Sequence, residues 1–86
     1  MNKPWYLYIA QAKTGRLYTG ITTDPEKRLI RHNSGQGSRF AKQQGPFILA
    51  YVSDPIASKS LARQREIQIK TWSQVKKQKL INGEWI

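Results

Sequence analysis

The 86-residue chain contains no cysteine, so it can form neither a disulfide framework nor a thiolate metal site. Its acidic residues number five and are scattered singly, with no Asp/Glu pair spaced for a two-metal centre. No apolar run approaches the roughly 18 residues that a membrane-spanning helix requires. Met1-Asn2-Lys3-Pro4-Trp5 leads straight into a strand pattern without the apolar core of a signal peptide, so a cytoplasmic protein is the expectation. Internal repeats, linkers and low-complexity segments are lacking too. The length suits one small domain over 1–86. A chain this size buries only about 60–65% of its unfolded surface, which leaves a thin margin of stability.

Positive charge is what the chain has in excess. Fifteen Lys and Arg against five acids give a net charge of +10 and a pI near 10.3. So strong an imbalance points to a polyanionic partner, normally nucleic acid. No amphipathic anchor or lipidation site accompanies the charge, so no membrane partner is expected.

The chain is organised around Trp5 to His32. Alternation over Trp5–Ala10 sets Trp5, Leu7 and Ile9 on one face of a strand and Tyr6, Tyr8 and Ala10 on the other. A second strand follows over Leu17–Ile21. A three-residue loop, Lys13-Thr14-Gly15, places Gly15 at the left-handed position and pairs Ala10 with Tyr18 and Tyr8 with Gly20. Tyr8 and Tyr18 then share a face; a four-residue loop would separate them. Asp24 or Thr23, Pro25 and Glu26 make a helix start, and Asn33-Ser34-Gly35 a stop. Within that helix Arg28, Arg31 and His32 share a face.

Residues 36–45 are polar and read as a loop or short helical turn, with Phe40 turned to the core and Arg39 and Lys42 toward phosphates. Pro46–Val52 is apolar on both faces, as expected for a third strand covered on both sides. Ser53-Asp54-Pro55 ends it and caps a helix from Ile56 to about Thr71, on which Leu61, Ala62, Ile69 and Trp72 cluster. Glu66 sits on the border of that stripe. Ser73 caps a last helix that ends near Asn82-Gly83. Taken alone, Glu66 reads as a surface partner of Lys70, worth about 0.3–0.5 kcal/mol. Tyr8 and Tyr18 read as ordinary strand aromatics and Arg28 as a solvated helix residue.

Jointly, these residues resemble the GIY-YIG nuclease domain, above all its short stand-alone bacterial members. The resemblance runs through Tyr6-Leu7-Tyr8, Tyr18-Thr19-Gly20, Arg28 ten residues beyond Tyr18, and Ala62, Glu66, Ile69 and Lys70. Tyr6 replaces the family's first glycine, Leu7 and Thr19 its isoleucines, and Ile21-Thr22-Thr23 stands where some relatives carry a lysine. The resemblance implies a small α/β (α+β) domain, a three-stranded antiparallel sheet flanked by helices. It implies an endonuclease hydrolysing phosphodiester bonds in DNA with Mg²⁺ or Mn²⁺. Tyr8, Tyr18 and Arg28 would be catalytic, joined by His32 as base, acid or phosphate ligand, and Glu66 would hold the metal. Arg31, Arg39 and Lys42 are the expected nucleic-acid contacts. A tyrosine serving as base needs its anion stabilised, because an unperturbed phenol titrates near 10. The alternative, from another class, is a nucleic-acid-binding module that keeps the fold without cleaving. A basic structural protein of a ribonucleoprotein would explain the charge but not the spacing.

Overall fold

The computed structural model describes residues 3–34 and 46–84. Arg39, Phe40 and Lys42 lie outside the described residues. Strands β1 (Tyr6–Gln11) and β2 (Leu17–Thr22) form an antiparallel hairpin in the register of the three-residue loop, with Tyr8 opposite Gly20 and Ala10 opposite Tyr18. Gly15 adopts φ 91°, the left-handed conformation that tight loop demands and that glycine reaches without a Cβ clash. Helix α1 (Pro25–Asn33) begins where Asp24 Oδ1 accepts from the Lys27 backbone N–H at 3.1 Å.

Strand β3 (Ile48–Val52) joins the free side of β1, giving the order β2-β1-β3, antiparallel throughout. Its register against β1 shifts between Ile9 and Ala10. The Asn33 side chain ties α1 to the approach of β3. Its Nδ2 donates to the Phe47 carbonyl at 3.1 Å, and its Oδ1 accepts from the Phe47 N–H at 2.6 Å.

Helix α2 spans Lys59–Lys70 and α3 spans Gln74–Ile81. The start of α2 corrects the expected one at Ile56. Trp5 N–H donates to the Ile56 carbonyl at 2.9 Å and Ile56 N–H to the Trp5 carbonyl at 2.7 Å. That pairing holds Ile56 in extended backbone, and the helix begins only after Ser58, which caps the Leu61 N–H at 3.2 Å.

Two apolar clusters fill the two sheet faces. Leu7 and Ile9 pack with Ile69 of α2 and Leu80 of α3; Ala10, Ala12 and Phe47 pack with Tyr18 and with Leu29 of α1. Two apolar expectations fail. Ile48 is 59% and Val52 42% exposed, at the two ends of β3, which is an edge strand. Leu61 is 52% exposed, since the buried side of α2 runs through Ala62, Glu66 and Ile69 instead. Among the described residues, no helix is long and apolar enough to cross a membrane.

Candidate functional site

The site is built outward from Tyr8. The residue is 4% exposed, and its ring lies across the backbone of Gly20 on the neighbouring strand. A Cβ at Gly20 would stand 2.5 Å from the Tyr8 hydroxyl and 2.6 Å from Cζ, so only glycine leaves room for the ring. The hydroxyl lies 3.1 Å from Nε2 of His32 on α1. His32 in turn packs against Phe47, with ring centroids 5.3 Å apart, and Phe47 meets Tyr18 edge-on at 5.5 Å. The Asn33 clamp on Phe47 therefore also steadies the imidazole.

A cleft of about 310 Å³ opens beside this row of rings. Tyr8 reaches it from β1, Trp5 from just before that strand, Arg28 from α1, and Lys59, Arg63 and Glu66 from α2. Lys59, Arg63, Glu66 and Lys70 follow one another at i, i+4, i+7 and i+11, so they form one stripe along α2. Glu66 is where that stripe meets the buried side, and it is 5% exposed. Arg63 Nη1 stands 2.8 Å from its Oε1 and Lys70 Nζ 3.3 Å from its Oε2.

The electrostatics of Tyr8 are a contest. Burial disfavours the phenolate and pushes its pKa above the ordinary 10.0, and the negative charge of Glu66 adds to that. The Arg28 guanidinium pulls the other way, and the outcome is a raised pKa. His32 is pushed below 6.5, first by burial and then by the cations Arg28 and Arg31. The pair is thus a protonated phenol against a neutral imidazole near neutral pH. In the tautomer with its proton on Nδ1, His32 accepts the phenolic hydrogen bond.

Among the described residues, no three His, Cys, Asp or Glu side chains come together. A hard cation can still be served by one carboxylate, completed by water and substrate oxygens, which is the habit of Mg²⁺. The oxygen chemistry of the cleft suits that arrangement. Glu66 presents its carboxylate there, and the buried Thr19 Oγ1, also on the cleft wall, has no hydrogen-bond partner among the described residues.

The structure brings Tyr8, Arg28 and Glu66 into one cleft, with His32 one hydrogen bond behind Tyr8. Tyr18 shares the sheet face of Tyr8 but packs on Phe47 and does not line the cleft. Arg31 is exposed on α1, close enough to His32 to depress its pKa. Sequence reasoning missed Trp5, Lys59 and Arg63. The four-residue stripe on α2 is the signal in the sequence for the two cations.

The GIY-YIG catalytic domain model matches residues 4–79 of the chain. The UPF0213 protein SSP2268 of Staphylococcus saprophyticus is 48% identical over 77 residues, covering 90% of this chain and 93% of that protein. The UPF0213 protein YhbQ of Escherichia coli is 40% identical over 78 residues, covering 91% of this chain and 77% of that protein. Among solved structures, the UPF0213 protein BH0048 from Bacillus halodurans is 37% identical with a TM-score of 0.57, covering 91% of this chain and 82% of that one. The protein EF2693 from E. faecalis is 32% identical with a TM-score of 0.62, covering 99% and 91%.

Proposed function

Because the chain belongs to the GIY-YIG catalytic domain family, we propose that it is a cytoplasmic DNA-processing endonuclease that hydrolyses phosphodiester bonds with Mg²⁺ or Mn²⁺. The observation that carries this reading is the convergence of Tyr8, Arg28 and Glu66, from three separate elements, on one cleft. Arg28 offers a two-pronged guanidinium to the non-bridging oxygens of a phosphate, a contact that strengthens as charge builds toward the transition state. Glu66 would hold the divalent ion, which supplies Lewis-acid stabilisation of that charge when bound.

The Tyr8–His32 pair supplies a route for the proton. As a water attacks phosphorus, its proton passes to the Tyr8 oxygen while the phenolic proton passes to His32 Nε2. The bond to the leaving oxygen breaks, that oxygen takes a proton from solvent water, and the imidazole ends as imidazolium, which returns its proton to solvent. In this relay the phenol never becomes a free phenolate, so its raised pKa is no obstacle, and the depressed pKa of His32 keeps the acceptor neutral.

The test is single-turnover cleavage of labelled DNA with Mg²⁺, with Mn²⁺ and with chelator, for wild type and Glu66→Gln. Metal-dependent cleavage that the variant loses, with unchanged circular dichroism, is the expected result. Undiminished metal-dependent cleavage by Glu66→Gln refutes the assignment. A second reading, a nucleic-acid-binding module that does not cleave, draws on the ion pairs of Arg63 and Lys70, which occupy both oxygens of Glu66. Tight DNA binding without cleavage under any metal condition selects it.

A further inference from the structure

Three cleft residues have no part in the scheme above. Trp5 is half-buried, and its two backbone hydrogen bonds with Ile56 fix it to the sheet. Lys59 Nζ stands over its indole, 5.4 Å from the ring centroid. Arg63, one turn further along α2, is 53% exposed at its side chain and keeps donors to spare beside Glu66. A flat apolar ring sharing a cleft with two cations is complementary to a flat base with its neighbouring phosphates. At about 310 Å³ the cleft lies at the small end of ligand pockets and has room for a single nucleotide.

Building on the proposed action on nucleic acid, we infer that Trp5, Lys59 and Arg63 form a subsite for one unpaired nucleotide beside the phosphate held by Arg28. The base stacks on Trp5, and its flanking phosphate takes Lys59 and Arg63. A base inside a duplex cannot do this, because its neighbours already cover both its faces. The Lys59 ammonium now over the indole is a weak, solvated occupant compared with a stacked base. A base displaces it toward the phosphate. The preferred substrates are therefore single strands, gaps, bulges and mismatched sites, with intact duplex disfavoured.

The test uses short single-stranded DNA and a strand of equal length made entirely of abasic sites, so that phosphates are kept and bases removed. Binding is measured by fluorescence anisotropy in chelator, where no cleavage intervenes. Wild type should bind the intact strand about 5- to 160-fold more tightly than the abasic one, the range expected of one stacked base. Trp5→Leu should abolish that preference and Trp5→Phe keep most of it. Lys59→Ala should weaken both strands alike and reduce the log–log salt slope by about 0.7. A strand carrying 5-iodouracil should photocrosslink to Trp5 in the unaltered protein, which decides the matter even if Trp5→Leu fails to fold. Equal affinity for the two strands, preference surviving Trp5→Leu, or crosslinking at Trp72 instead overturns the subsite. Base preference without cleavage removes the nuclease reading alone; cleavage without base preference removes the subsite alone.

Discussion

Adding one methyl group at Gly20 should disable the site from beneath. The Cβ of Gly20→Ala would lie 2.5–2.7 Å from the hydroxyl, Cζ and Cε2 of Tyr8, whereas ordinary contact begins at 3.4 Å. The ring must therefore retreat by about 0.9 Å, the difference between 3.4 and 2.5 Å. Tyr8 is 4% exposed, so the retreat happens inside packed surroundings, and the 3.1 Å contact with His32 is either stretched or compressed. Overpacking of this kind costs about 1–3 kcal/mol. For a domain this small that lowers Tm by roughly 5–20 °C. A displacement near 1 Å at a reacting group costs about 10²-fold in rate. Thermal melts and single-turnover cleavage measure the two effects separately. Tyr8→Leu shrinks the side chain that the new methyl strikes, so the double variant Gly20→Ala/Tyr8→Leu should lose less stability than the two single losses added. An unchanged melt for Gly20→Ala, or strictly additive losses in the double variant, would refute the argument.

Arg28→Ala should reduce turnover about 10²–10³-fold while changing DNA affinity much less, as compared by single-turnover and equilibrium measurements. Equal losses in both would make Arg28 a plain binding residue. The lowered pKa of His32 means that the folded state resists protonation: below about 6.5 the unfolded chain binds a proton that the native chain does not. Stability should thus be constant above that pH and fall as pH drops through the window beneath it. Melts of wild type and His32→Gln from about one unit above the ordinary His pKa to about one and a half below it should show the dependence shrinking in the variant.

Most of the local architecture was legible because single residues dictated it. Gly15 fixed the hairpin register, and with it the pairing of Tyr8 with Gly20. Asp24-Pro25 and Asn33 bounded α1. What escaped depended on contacts between distant segments. The Trp5–Ile56 pairing overrides a helical reading of Ile56 that its own neighbourhood permits. The exposure of Ile48 and Val52 follows from β3 lying at the sheet edge, which no feature within Pro46–Val52 discloses. For Glu66, helical spacing alone favoured a surface ion pair with Lys70, and that pair exists at 3.3 Å. Spacing could not show that the carboxylate is buried against the sheet while keeping the pair. Lys59 and Arg63 were overlooked because charge on a helix ordinarily faces water, and only the approach of α2 to the sheet brings both cations onto one cleft.

The Asn33 side chain, closing on both backbone groups of Phe47, acts as a buckle between the end of α1 and the start of the β3 segment. One side chain thus holds two members of the ring row in place, because His32 precedes Asn33 on α1 and packs against Phe47. Asn33→Ala would strip both Phe47 backbone groups of that partner and slacken the imidazole that meets the Tyr8 hydroxyl, a loss at the site from a residue that does not touch the cleft.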